Sequence, residues 1–289
     1  MAKKQVLWFL VALGIGLTAC NDNQKESPAT GSITIHIRHT VDGNPLITDS
    51  LMYTNEAGNH YLINEIQWFI SDISLVADDG SNIALDADNS AYYVDTDIPE
   101  SMRIQAWMPV PAGHYKGIAF TFGLDEANNI SNRFVNPPES FMFWPEYLGG
   151  GYHYMKLNGK WINEDGLKAP FNFHLGTGQI YTGSDRDILF DFGASNQYLH
   201  CEGFHPPQKL SPVVAFVPNY FRVNLTGTDA SLIDGGNLEF IIEMQVENWF
   251  RTPNTYDHNV WGGSIMQQQD ALKSASENGH DVFIVKPLN

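Results

Sequence analysis

Apolar and polar residues alternate through residues 33–39, with Ile33, Ile35, Ile37 and His39 on one face and Thr34, His36 and Arg38 on the other. A period of two predicts a strand half buried in a sheet. The turn Asp42-Gly43-Asn44-Pro45 follows, and Asn55-Glu56-Ala57-Gly58-Asn59 has the composition of a hairpin loop. Residues 61–75 (YLINEIQWFISDISL), 91–95, 102–110 and 115–123 (YKGIAFTFG) are rich in aromatic and branched side chains and predict further strands. Pro111-Ala112-Gly113 turns the chain into the last of these. Further on, residues 187–192, 213–225, 238–246 and 281–285 predict more strands, and the one helical stretch is 263–277 (GSIMQQQDALKSASE), with Ser264 as its expected N-cap. Short strands separated by turns predict an all-β fold, an antiparallel β-sandwich of Greek-key type with one short helix near the C-terminus.

The first residues stand outside that pattern. A charged head, MAKKQ, precedes an apolar run from Val6 to Leu17 that is too short for a permanent transmembrane helix, and the run ends in Leu17-Thr18-Ala19-Cys20. A Cys directly after small residues looks like a bacterial lipobox. Residues 1–19 are therefore expected to be a lipoprotein signal peptide and Cys20 the lipid-modified first residue of the mature chain. Residues 20–31 would be a polar, flexible tether, and residues 32–289, which no Pro- or Ser-rich linker divides, a single domain. The expected location is a bacterial membrane, the outer membrane, with the domain facing the periplasm or the cell surface.

Sixteen Lys and Arg against 33 Asp and Glu leave a formal charge of −17, which argues against nucleic acid as a partner because phosphate neutralisation needs clustered cations. Cys201 is the only other Cys, so the mature chain has no internal disulfide and must rest on its core. Phosphate loops, dinucleotide fingerprints, nucleophile elbows and H-E-x-x-H helices are absent, and an enzyme is not expected.

The chemistry concentrates between residues 141 and 176, where FMFWPEYLGGGYHYMKLNGKW is followed by a polar turn and FNFHLG. Trp144, His153, Met155 and His174 fall there on neighbouring strand-like runs, and imidazole with thioether suits copper rather than calcium or magnesium. Strand alternation would put His153, Met155 and Leu157 on one face and Tyr152, Tyr154 and Lys156 on the other, with His174 leaving the apolar face of its own run. The plainer reading is a set of cross-strand neighbours with the imidazoles hydrogen-bonded to the backbone. Elsewhere, His36 and His39 point to opposite faces, so only His39 remains a candidate ligand. His200, Cys201 and His205 are one ligand short of a structural zinc site, and Asp86-Ala87-Asp88-Asn89-Ser90 lacks the Gly and Glu of a calcium loop.

Several stretches together resemble the MbnP family, the methanobactin-associated copper-binding proteins related to MopE and CorA. They are Phe141-Met142-Phe143-Trp144, Gly151-Tyr152 leading to Lys156-Leu157-Asn158-Gly159, and Phe173-His174-Leu175-Gly176, with Trp68 to Leu75, Pro111 to Tyr115 and Phe120 to Gly123 upstream. The resemblance implies an extracytoplasmic all-β domain that binds a single copper, Cu(I) or Cu(II), through histidines near a tryptophan. It makes His174 one ligand and Trp144 the tryptophan, which in some members a partner dihaem peroxidase oxidises to kynurenine. Either His153 or His39 would be the other histidine, with Met155 as an additional soft ligand. Residues 128–132 (NNISN) have no histidine where some members carry an Asn-His pair, and the four-cysteine pattern of one branch is absent. The expected role is copper acquisition or storage, with binding that weakens as pH falls through the imidazole range. The alternative is a metal-free glycan-binding or scaffold lipoprotein that uses exposed aromatic residues from among Trp68, Trp107, Trp144, Trp161, Trp249 and Trp261.

Overall fold

The computed structural model describes residues 28–86, 90–182 and 212–288. The signal segment, Cys20, most of the tether, the strand expected at 187–192, and His200, Cys201 and His205 lie outside those residues. In chain order the first strands are β1 (Thr30–Val41), β2 (Asn44–Pro45), β3 (Tyr53–Thr54), β4 (His60–Ala77), β5 (Asn82–Ala84), β6 (Ala91–Asp95), β7 (Arg103–Gln105), β8 (Val110–Pro111) and β9 (Gly113–Phe122). Then come β10 (Met155–Ile162), β11 (Lys168–Leu175), β12 (Gly178–Tyr181), β13 (Val213–Val217), β14 (Phe221–Leu232) and β15 (Asn237–Gln245). A four-residue helix α1 (His258–Trp261), the helix α2 (Gln269–Asn278) and β16 (Phe283–Leu288) complete the chain.

Two sheets form the sandwich. One runs β16-β15-β1-β2, with β7 and β8 also paired to β1; the other runs β11-β10-β4-β9-β14, with β3, β5 and β6 paired to β4. A small β12-β13 ladder stands apart. Among the described residues the ladders are antiparallel except one: β1 and β15 run parallel, in register from Ser32 opposite Asn237 to Thr40 opposite Gln245. No hairpin joins these two strands, so nothing in the connection imposes an antiparallel direction.

The core lies between the sheets. The inward face of β1 supplies Ile33, Ile35 and Ile37, and β4 supplies Ile66, Trp68 and Ile70, all buried. Trp68 packs against Phe122 of β9 and Phe283 of β16, and Phe122 in turn against Trp249, with ring centroids 5.1–6.1 Å apart. Helix α2 closes one end by burying Ala271, Leu272 and Ala275.

Several boundaries differ from the sequence expectation for identifiable reasons. β1 begins at Thr30, so the last two residues of the expected tether are already pleated into the sheet. Residues 213–225 divide into β13 and β14, which belong to different sheets, because Pro218 cannot donate to a ladder. Between β7 and β8 the chain leaves the sheet: Trp107 N donates to the Asp86 carboxylate and Met108 N to Leu85 O, and the Trp107 side chain stands 84% exposed. Ser264 does not cap a helix. It bridges to Asn172 at the edge of β11 while Gln268 donates to its carbonyl, so α2 starts only at Gln269.

Candidate metal centre

The segment before β10 folds back on itself. Trp144 N donates to Gly151 O and His153 N to Met142 O, clipping residues 142–144 against 151–153. The turn between them needs three consecutive glycines with positive φ, Gly149, Gly150 and Gly151, a conformation that side chains with a Cβ resist. At Gly151 a Cβ would stand 2.4 Å from Asn129 Oδ1, the same atom that accepts Tyr152 N. Asn129 thus anchors the clip from within residues 128–132.

This clip carries His153 off the strand, because pleating begins only at Met155. Alternation therefore does not apply to it, and its ring lies against that of His174 on β11, with centroids 5.0 Å apart and planes at 84°. Trp144, fully buried, stands edge-on to His153 at 4.7 Å and donates its indole N–H to Leu148 O at 3.0 Å. Gly176, just after His174, lies beneath the Trp144 ring, leaving no room for a Cβ.

Each imidazole has one nitrogen engaged and one bare. His153 Nδ1 lies 2.9 Å from Met142 O; a carbonyl only accepts, so Nδ1 carries the hydrogen and Nε2 keeps its lone pair. His174 Nε2 lies 2.8 Å from Asn158 Oδ1. The remaining nitrogens, His153 Nε2 and His174 Nδ1, are both buried without a hydrogen-bond partner. Holding one ring nitrogen while leaving the other free is the arrangement of metal-ligating histidines.

A model of the MbnP family matches residues 30–267. The chain belongs to the MbnP family. It is similar in fold to MbnP from Methylosinus trichosporium, with a TM-score of 0.53 over 90% of this chain and 99% of that one at 14% sequence identity. No curated protein matches the chain in sequence.

Within this MbnP-family domain the other candidate ligands lie elsewhere. His39 is buried, and its Nε2 accepts the indole N–H of Trp68 at 3.1 Å, which commits that lone pair. Met155 pairs across the ladders with Trp68 and Leu175 in the core, on the face of the sheet opposite Lys156 and His174. His36 is paired with Glu239. Asp86 of the calcium-loop-like stretch is occupied by the Tyr92 hydroxyl and Trp107 N, and Asp88 lies outside the described residues. Among the described residues no three His, Cys, Asp or Glu come together, so the pair of imidazoles stands without a carboxylate.

Burial holds the pair neutral. Desolvation, followed by the charge of Lys156, lowers His153 to about 3. His174 is held well below the usual imidazole range by the same desolvation, then by His153 and Lys156. The protonation range expected from free imidazole thus moves down, and both rings present lone pairs at neutral and mildly acidic pH. Lys156 and Asn158 belong to the Lys156-Leu157-Asn158-Gly159 motif, but the sequence reading attached no role at the site to either. The available signal was register: both share the polar face of β10, and Lys156 sits opposite His174.

Proposed function

We propose that this chain binds one copper ion between His153 Nε2 and His174 Nδ1, beside Trp144, in a domain held by a lipid on Cys20 to the outer membrane of a bacterium. The observation that carries this reading is the pair of bare, buried nitrogens on adjacent rings. An unpartnered buried polar atom costs about 1–3 kcal/mol, and two of them on rings with centroids 5.0 Å apart would share one remedy in a soft cation. Two neutral nitrogens suit Cu(I), which accepts low coordination, better than zinc with its four ligands or calcium with its oxygen shell. The nearby Lys156 ammonium favours a singly over a doubly charged ion. Family membership supports a copper-related role, and the resemblance supplies a dihaem peroxidase as the partner that would act on Trp144. Acquisition or storage of copper is the physiological reading. No helix among the described residues is long and apolar enough to cross a membrane.

The test is copper titration of the soluble chain, residues 21–289, in both oxidation states with electron paramagnetic resonance. One copper per chain is expected, lost in His174→Ala and His153→Ala and retained in His39→Ala. Unchanged binding in the His153→Ala/His174→Ala double variant would sink the assignment, and quenching of Trp107 fluorescence by oligosaccharides without copper binding would favour the glycan alternative. Labelling with radioactive fatty acid, abolished by Cys20→Ser, tests the anchor.

A further inference from the structure

His174 touches Asn158, and a side-chain amide taken alone can present either its oxygen or its NH2 to a ring nitrogen. A third residue removes the ambiguity. Asn158 Nδ2 lies 2.6 Å from Glu65 Oε1. A carboxylate only accepts, so the amide NH2 faces Glu65 and its oxygen faces His174. That oxygen also only accepts, so His174 Nε2 carries the hydrogen and Nδ1 keeps its lone pair.

Building on the copper reading, we propose that Glu65 and Asn158 form a positioning relay that fixes the tautomer of His174 and thereby selects Nδ1 as the nitrogen offered to the metal. The relay crosses three adjacent strands: Glu65 on β4 sits directly opposite Asn158 on β10, and His174 on β11 lies one diagonal step from Asn158. Each link is therefore held by the sheet ladders rather than by a loop. Immediately after the Glu65–Asn158 pair the β4–β10 register shifts, a bulge of the kind that re-aims side chains. A carboxylate behind the amide also polarises it, pulling on the Nε2 hydrogen and making Nδ1 the stronger donor. The Met142 carbonyl does the equivalent for His153 from the opposite nitrogen, so the two rings are locked in different tautomers, one ligating through Nε2 and the other through Nδ1.

Imidazole tautomers are read directly in metal-free protein by two-bond proton–nitrogen correlation spectra of 15N-histidine-labelled chain. The wild type is expected to show His174 protonated at Nε2 and bare at Nδ1. Asn158→Leu removes the acceptor and should bring a population protonated at Nδ1, with copper affinity falling about 10–100-fold, as for other outer partners of metal ligands. Glu65→Gln lets the amide turn over and should give a mixture of tautomers. The pair Glu65→Gln with Asn158→Asp reverses the polarity of the first link while restoring an acceptor to His174, and should return the wild-type tautomer, which a merely structural role would not do. A wild-type His174 protonated at Nδ1, a wild-type tautomer in Asn158→Leu, or no recovery in the double variant would each overturn the relay. The wild-type spectrum decides the question even if Asn158→Leu fails to fold. A correct tautomer in a protein that takes up no copper would support the relay and overturn the copper reading instead.

Discussion

His258 offers a direct measure of what a buried, unpartnered imidazole does to this fold. It is fully buried on α1, with Phe171 4.2 Å from its ring and Tyr256, Phe250, Trp161 and Tyr61 at 5.1–6.1 Å, and neither ring nitrogen has a partner. Desolvation lowers its pKa to about 3, against a smaller upward pull from Asp257. In the unfolded chain the group titrates near the ordinary value of about 6.5. Between those two values the unfolded state binds the proton and the folded state does not, so stability falls as pH falls. From about pH 7.5 to pH 5.5 the loss is close to one full unit of titration, about 1.4 kcal/mol for this residue alone. His258→Phe keeps an aromatic ring in the cage and removes the titration. Urea unfolding of the copper-free chain at the two pH values should therefore show a loss for the wild type larger than that of His258→Phe by about 1.4 kcal/mol. Equal losses in the two proteins would refute the reasoning, because the fold would then be accepting the proton at His258 without opening.

Other substitutions separate the metal pair from its surroundings. Met155→Leu should leave copper affinity unchanged and cost less than about 1.5 kcal/mol, as volume-conserving core exchanges do; weaker copper binding would bring the thioether back into the site. His39→Leu strands the buried indole N–H of Trp68 and should destabilise by about 1–3 kcal/mol, while the titration endpoint for copper stays where it was. Gly176→Ala would place a Cβ 2.7 Å from Trp144 Cε3; an overpacking loss of about 1–3 kcal/mol with altered Trp emission is expected, and an unchanged melting curve and spectrum would contradict the close contact.

Strands with strict alternation were readable from sequence. Ile33 to His39 falls within β1, and residues 91–95 and 238–246 match β6 and β15 to within a residue at each end. Legibility fails where backbone bonding is decided by distant partners. Nothing local to Ser264 shows that the edge of β11 will claim it, and nothing near Trp107 announces the Asp86 carboxylate that draws its N–H out of a strand. The metal centre divides in the same way. His174 was visible in its motif and on the polar face of its strand. His153 was visible as a residue, yet period-two reasoning assigned it the face of Met155, because it extended the strand into a turn that Gly149, Gly150 and Gly151 and the Met142 carbonyl shape. Glu65 carried no signal, since its role depends on the register of β4 against β10.

The parallel pairing of β1 with β15 has a kinetic meaning. Thr30 N bonds to the side chain of Asp234, 204 positions later in the chain. At a synthesis rate of about 5–20 residues per second, roughly 10–40 s separate the emergence of the first strand from that of its central neighbour. Through that interval β1 has, among the described residues, only the short strands β2, β7 and β8 to pair with, and its row of buried isoleucines lacks the ladder that fixes it. The half of the sandwich built on β1 thus assembles last although its first strand is made first, and a chain built this way remains unfinished, and threadable, until nearly all of it has appeared.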